Sequence, residues 1–252
     1  MRVIEFNNRD KNGREYVCGR FEIRNQTLES ADLFIYGDIM SYKWDDSDIV
    51  PQDVAGFLKN LDGTGKLNIY INSGGGSVFA GLAIYNQLKR HTAEKTVYID
   101  GVAASIASVV AMAGDRLIIP SNAFLMIHKP WNLQVGNAND MRKMADDLDR
   151  IEDGIMNVYR EKLADGVDIE EIRTLVQAET WLNGKDAARY FNVEVGKGNN
   201  AAACVSGFYG SYRNAPVCLM DISPDPGTGP GSELMTENEI EKEKLLLELS
   251  LL

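Results

Sequence analysis

Polar, irregular sequence gives way to apolar runs near residue 31 of the 252-residue chain, and from there strand and helix periods alternate. Asp32-Leu33-Phe34-Ile35-Tyr36-Gly37 predicts a buried strand stopped by glycine. Residues 51–61 have helical spacing, with Pro51 suited to a first turn. Leu67-Asn68-Ile69-Tyr70-Ile71 predicts the next strand, running into Ser73-Gly74-Gly75-Gly76. An amphipathic helix at 78–90 follows, with Ala80, Ala83, Ile84 and Leu88 inward. Strands are expected at 96–99, 116–119 and 124–127, and a small-residue helix at 105–113. A long, charged helix at 139–163 and helices at 168–178 and 186–190 complete the series. Such alternation predicts an α/β fold: a sheet with helices packed outside it and right-handed crossovers.

The same pattern divides the chain into an N-terminal arm or hairpin (1–30), a main domain (31–206), a linker (207–231) and a charged C-terminal helix or tail (232–252). Ser223-Pro224-Asp225-Pro226-Gly227-Thr228-Gly229-Pro230-Gly231 can form neither ladder nor helix. Thr236-Glu237-Asn238-Glu239 is a capping box that opens the last helix, a loosely attached element or a docking element for a partner.

Composition narrows the function classes. A net charge of -11 argues against a protein that coats nucleic acid or an anionic membrane, since both are polyanions. Three cysteines, Cys18, Cys204 and Cys218, have neither metal-ligand spacing nor a disulfide framework. The first residues lack the apolar core of a signal peptide, and the longest apolar run, 102–113, falls short of the ~20 residues a span needs. A soluble, cytoplasmic protein is expected.

The candidate chemistry is that of a serine nucleophile, which needs a base, a carboxylate to hold that base, and amides for an oxyanion. Ser105 follows Gly101-Val102-Ala103-Ala104, small neighbours that a nucleophile on a tight strand-to-helix turn requires. The helix that begins there would point its N-terminal dipole at a developing oxyanion. Of the two histidines, His128 ends the apolar run Leu125-Met126-Ile127 at a sheet edge, whereas His91 caps a helix beside Lys89 and Arg90. Gly74-Gly75-Gly76 exposes backbone amides without side-chain hindrance; no GxGxxG or Walker pattern accompanies it.

Taken in order, Ile71-Asn72-Ser73-Gly74-Gly75-Gly76, Gly101-Val102-Ala103-Ala104-Ser105-Ile106-Ala107-Ser108 and Met126-Ile127-His128-Lys129-Pro130 resemble the Clp protease proteolytic subunit (ClpP) family of serine peptidases. The resemblance runs over about 31–195. It implies a ClpP/crotonase-type superhelix of repeated β-β-α units, with the long helix at 139–163 projecting for oligomerisation. It implies Ser105 as nucleophile, His128 as general base, and the amides of Gly75 and Ile106 as oxyanion hole. The third triad position, usually aspartate in that family, falls on Glu179 in Gln177-Ala178-Glu179-Thr180-Trp181-Leu182, with Asp168 and Asp186 as alternatives. The implied reaction needs no cofactor or metal. The implied partners are a polypeptide substrate, other copies of the chain in a ring, and an AAA+ unfoldase or phage capsid proteins. The chain departs from the family in having Gly74 where proline is common and in lacking a glycine pair over 131–135. With its extended tail it looks most like the phage and prophage members.

Two other functions stay open. A crotonase-type acyl-CoA hydratase or isomerase would use a similar oxyanion hole with carboxylates as acid and base, for which Asp100 is the acidic residue nearest Ser105. A non-catalytic ring-forming assembly protein would keep the motifs without turnover.

Overall fold

A computed structural model describes residues 2–9, 15–24, 29–43, 48–61, 63–198 and 206–216. The proline- and glycine-rich run at 223–231 and the expected charged helix at 232–252 lie outside the described residues, as do Cys204 and Cys218. Among the described residues, nine strands form one sheet in a mixed α/β fold. An antiparallel pair, β1 (Arg2–Arg9) and β2 (Glu15–Arg24), leads into β3 (Ser30–Tyr36). From β3 the sheet runs parallel through β4 (Lys66–Ser73), β5 (Glu94–Ala104), β6 (Arg116–Pro120) and β9 (Glu194–Gly196). Buried Leu33, Ile35, Leu67, Ile69, Ile71, Val97 and Ile99 occupy alternate positions of β3, β4 and β5, so one face of these strands is core.

β5 is longer than the expected 96–99 strand because it serves two neighbours. Its first half pairs β6 at Thr96–Tyr98, and its second half pairs β7 (Phe124–Ile127) at Val102–Ala104, both in parallel. β7 in turn pairs antiparallel with β8 (Thr180–Asn183), a strand the sequence pattern did not indicate. Helices α1 (Pro51–Lys59) and α2 (Val78–Arg90) cover the apolar face, with Val54, Phe57, Ile84 and Leu88 buried there. The six-residue α3 (Ile106–Ala111) is buried along its whole length, which explains its alanine, serine and valine content: larger side chains would not fit between sheet and neighbours.

Helix α4 (Ala138–Arg160) starts at an Asn137/Asp140 capping box. Its C-terminal half packs on the core through Ile155, Met156, Val158 and Tyr159, while Met141 nearer its start is 42% exposed. Two polar contacts tie α4 to the rest. The Tyr159 hydroxyl lies 2.7 Å from Ser108 Oγ, whose own proton goes to the Ser105 carbonyl at 2.5 Å. Glu152, buried at 3% exposure, is bracketed by Lys129 Nζ at 2.8 Å and by Arg173 Nη1 at 3.1 Å from α5 (Ile169–Gln177). No helix among the described residues is long and apolar enough to cross a membrane.

Candidate active site

Register brings the expected residues together. β4 and β5 run in step until a bulge after Ile71 sets Ser73 opposite Ala103. The Asn72 side chain accepts the Val102 N–H at 3.2 Å within that irregularity. The glycine turn after β4 therefore lies beside the end of β5, where Ser105 follows. A Cβ built on Gly75 would come within 2.8 Å of both the Ala104 carbonyl oxygen and Ser105 Cβ, and the φ of Gly75 is +105°; only glycine allows this approach. On the other side of β5, Ala104 pairs with Met126, and the Ser105 N–H donates to the Met126 carbonyl at 3.0 Å. Two residues past Met126 comes His128, with Nε2 2.7 Å from Ser105 Oγ.

Ser105 itself has φ 54° and ψ -127°, left-handed backbone that an L side chain rarely adopts. Such a conformation costs on the order of 1–3 kcal/mol and persists only where the surroundings impose it. Here the parallel β5–β7 pairing on one side and α3 on the other leave a sharp turn with the hydroxyl at its apex.

Glu179 arrives by the antiparallel β7–β8 pairing. Ile127 stands opposite Thr180, so the next pair outward is His128 with Glu179. Glu179 also has a positive φ, 51°. Burial holds the His128 imidazole below its ordinary value, and the negative charge of Glu179 pulls it back upward. Among the described residues no hydrogen bond joins the two: Glu179 Oε1 accepts the Asn214 N–H at 2.7 Å. The alternatives are engaged elsewhere. Asp168 caps α5 and accepts the Glu170 N–H at 3.1 Å, and Asp186 pairs with Arg189 at 3.6 Å. Asp100 accepts the Tyr36 hydroxyl, and burial raises its carboxyl above the ordinary range.

Of the two expected oxyanion donors, the Gly75 N–H rests on Ser73 Oγ at 3.2 Å, a long contact, and Ile106 opens α3 next to Ser105. His91 closes α2, its Nδ1 accepting the Ala93 N–H at 3.2 Å. A cavity of about 550 Å³ opens beside His128 and Glu179, walled in part by Trp131, Ala178, Ser211 and Arg213. No group of three or more metal-ligating side chains occurs among the described residues.

Two residues at the site had no place in the sequence reading: Tyr212 and Asn214. The Tyr212 hydroxyl donates to the Gly74 carbonyl at 2.5 Å, and its ring stands edge-on to His128 with centroids 5.2 Å apart. The one local hint is the concentration of aromatics, Phe208, Tyr209 and Tyr212, in an otherwise small and polar stretch.

A family model described as Clp protease matches residues 19–193, a span that takes in the glycine turn, Ser105, His128 and Glu179. The chain belongs to the Clp protease family. Among similar proteins, the ATP-dependent Clp protease proteolytic subunit of Borrelia garinii subsp. bavariensis is 28% identical over 172 residues, covering 68% of this chain and 86% of its own. The protein of the same description from Leuconostoc citreum is 29% identical over 187 residues, 71% of this chain and 86% of its own. That of Mesostigma viride is 28% identical over 181 residues, 70% of this chain and 75% of its own. In this chain the three segments around Gly75, Ser105 and His128 lie at the ends of three adjacent strands, the edge of an open parallel sheet at which ligands commonly bind.

Proposed function

We propose that this Clp protease family member is a serine endopeptidase using Ser105, His128 and Glu179, with the Gly75 and Ile106 amides as oxyanion hole. The observation that carries the reading is the 2.7 Å contact between Ser105 Oγ and His128 Nε2 at a strained turn packed against Gly75. Ser105 Oγ attacks the peptide carbonyl as its proton passes to His128; the C–N bond then breaks as His128 returns the proton to the leaving amine. Water repeats the sequence on the acyl-enzyme, with His128 again as base. A fluorophosphonate probe tests this directly, since Ser105 Oγ would form a P–O bond with loss of fluoride. Labelling of the wild type and none of Ser105→Ala is expected; equal labelling of both removes Ser105 from the role.

Glu179 acts on the imidazole through its charge, which fixes the sign of a second prediction. His128 is an active base only when neutral, so activity rises with pH through its pKa, which burial holds below the ordinary ~6.5. Glu179→Gln deletes the one influence that raises this pKa. The acid limb of the kcat/KM profile should therefore move to lower pH. Meanwhile kcat falls by roughly 10²–10⁴-fold as the imidazolium of the transition state loses its counter-charge. An acid limb that stays put or moves upward would exclude Glu179 from the triad.

The substrate we propose is a polypeptide, and the departures at Gly74 and over 131–135 favour a phage capsid or scaffold protein over chains delivered by an AAA+ unfoldase. Assembly into a ring of copies is supported by exposed apolar side chains, Met141 near the start of α4 and Leu133 and Val135 in the stretch before it.

A further inference from the structure

The segment at 206–216, beyond the residues matched by the family model, crosses the candidate active site and is held on both sides of it. On the glycine-turn side, Ser206 Oγ donates to Asp38 Oδ1 at 2.6 Å and lies so near Gly74 that a Cβ there would come within 2.0 Å of it. On the imidazole side, Asn214 donates its backbone N–H to Glu179 Oε1 at 2.7 Å. Its Nδ2 donates to the Ala178 and Glu179 carbonyls at 2.9 and 3.0 Å. Between these anchors a 3-10 turn at Gly207–Ser211 leads to Tyr212, 5% exposed. Tyr209, Tyr212 and Ala215 pack on Val102, Ala104 and Met126, the residues just before Ser105 and His128.

Tyr212 decides what this covering does. Its hydroxyl is bonded to the Gly74 carbonyl and stands 3.2 Å from where a Gly75 Cβ would be, and that same Cβ would lie 2.8 Å from Ser105 Cβ. The phenol thus fills the corner bounded by Gly74, Gly75, Ser105 and His128. A tetrahedral adduct on Ser105 Oγ, its oxyanion facing the Gly75 and Ile106 amides, needs that same volume. The strap also claims Glu179 Oε1 and the Gly74 carbonyl, two acceptors that an imidazole and an extended peptide would otherwise use.

We infer that residues 206–216 are an intramolecular competitor for the substrate cleft, with the Tyr212 phenol in the place of the scissile carbonyl, so that Ser105 is acylated only when this strap has lifted. The inference rests on Ser105 being the nucleophile. The strap then acts as a tax on the competent state, reducing apparent reactivity by the fraction of molecules in which it is open.

The test is the rate of fluorophosphonate acylation in the full chain, with thermal unfolding to verify folding, for wild type, Tyr212→Ala, Ser206→Ala and Ser105→Ala. Tyr212→Ala should label at least about tenfold faster than wild type. Ser206→Ala, which removes the Asp38 anchor and the Ser206 cap on the Phe208 N–H at the start of the 3-10 turn, and leaves the surroundings of Ser105 intact, should label severalfold faster. If Tyr212→Ala fails to fold, Ser206→Ala decides alone. Labelling of folded variants at or below the wild-type rate overturns the strap while leaving Ser105 as nucleophile. Failure of every protein, or equal labelling of Ser105→Ala, overturns the peptidase reading and the strap with it.

Discussion

Ser105→Ala is expected to lower the turnover of a fluorogenic peptide by roughly 10⁴–10⁶-fold, with His128→Ala costing about as much and the double variant no more than either. The non-additivity follows from the geometry. In the proposed mechanism the hydroxyl is a poor nucleophile until its proton passes to Nε2, 2.7 Å away, and the imidazole has nothing to activate once the hydroxyl is gone. Either deletion leaves only the amides and substrate binding. Peptide hydrolysis followed with each single variant and the pair checks this; losses that multiply would show that the two side chains act separately. The contrast with Glu179→Gln is informative, because that residue touches neither the substrate nor Nε2 and should be less costly.

The second large effect is on stability. Gly76→Ala should lower unfolding free energy by more than about 4 kcal/mol, the range of exceptional substitutions. The φ of Gly76 is +135°, and an added Cβ would lie 2.1 Å from the Ile39 carbonyl oxygen and 2.9 Å from its carbon. These are backbone atoms, so no rotamer change relieves the clash. Ile39 is itself pinned: its carbonyl accepts the Ser77 N–H at 2.7 Å and its N–H donates to the Gly75 carbonyl at 2.7 Å. Moving it would break the link between β4's glycine turn and the stretch after β3. Gly56→Ala is the matched control, since it sits in α1 with nothing within 4 Å of the added carbon; it should stabilise by up to ~1 kcal/mol. Urea titration of both variants measures the difference, and a Gly76→Ala protein as stable as wild type would mean that the turn relaxes in a way these contacts do not allow.

How much of this is legible in the sequence depends on how local the signal is. The strand at 32–37, the helix at 78–90 and the strand at 124–127 have their period written in their own residues, and they occur within a residue or two of the expected positions. β8 was not legible: Gln177-Ala178-Glu179-Thr180 continues the preceding helix in composition, and only pairing with β7 makes Thr180–Asn183 a strand. β9, Glu194–Gly196, is too short to show any alternation. Ser105 and His128 were identifiable because each ends a recognisable apolar run. Their approach, however, depends on β5 changing partners halfway along, which no local pattern encodes. Tyr212 was beyond reach for a similar reason. Its partners Gly74 and His128 lie far back in the chain, and aromatic residues between small polar ones carry no address for a distant cleft.

The placement of the chemistry on strand ends also governs when it can first exist. Parallel pairings close long loops before the contacts they make offset the lost entropy, so strands far apart in the chain must meet before the sheet is complete. Gly75, Ser105, His128 and Glu179 come from four different strand ends, and no fragment of the sheet holds them all in register. A chain emerging in order from its N-terminus has Ser105 before His128, and His128 before Glu179. On the peptidase reading proposed above, hydrolysis is therefore expected only once β7 and β8 have joined β5 and brought His128 and Glu179 to Ser105.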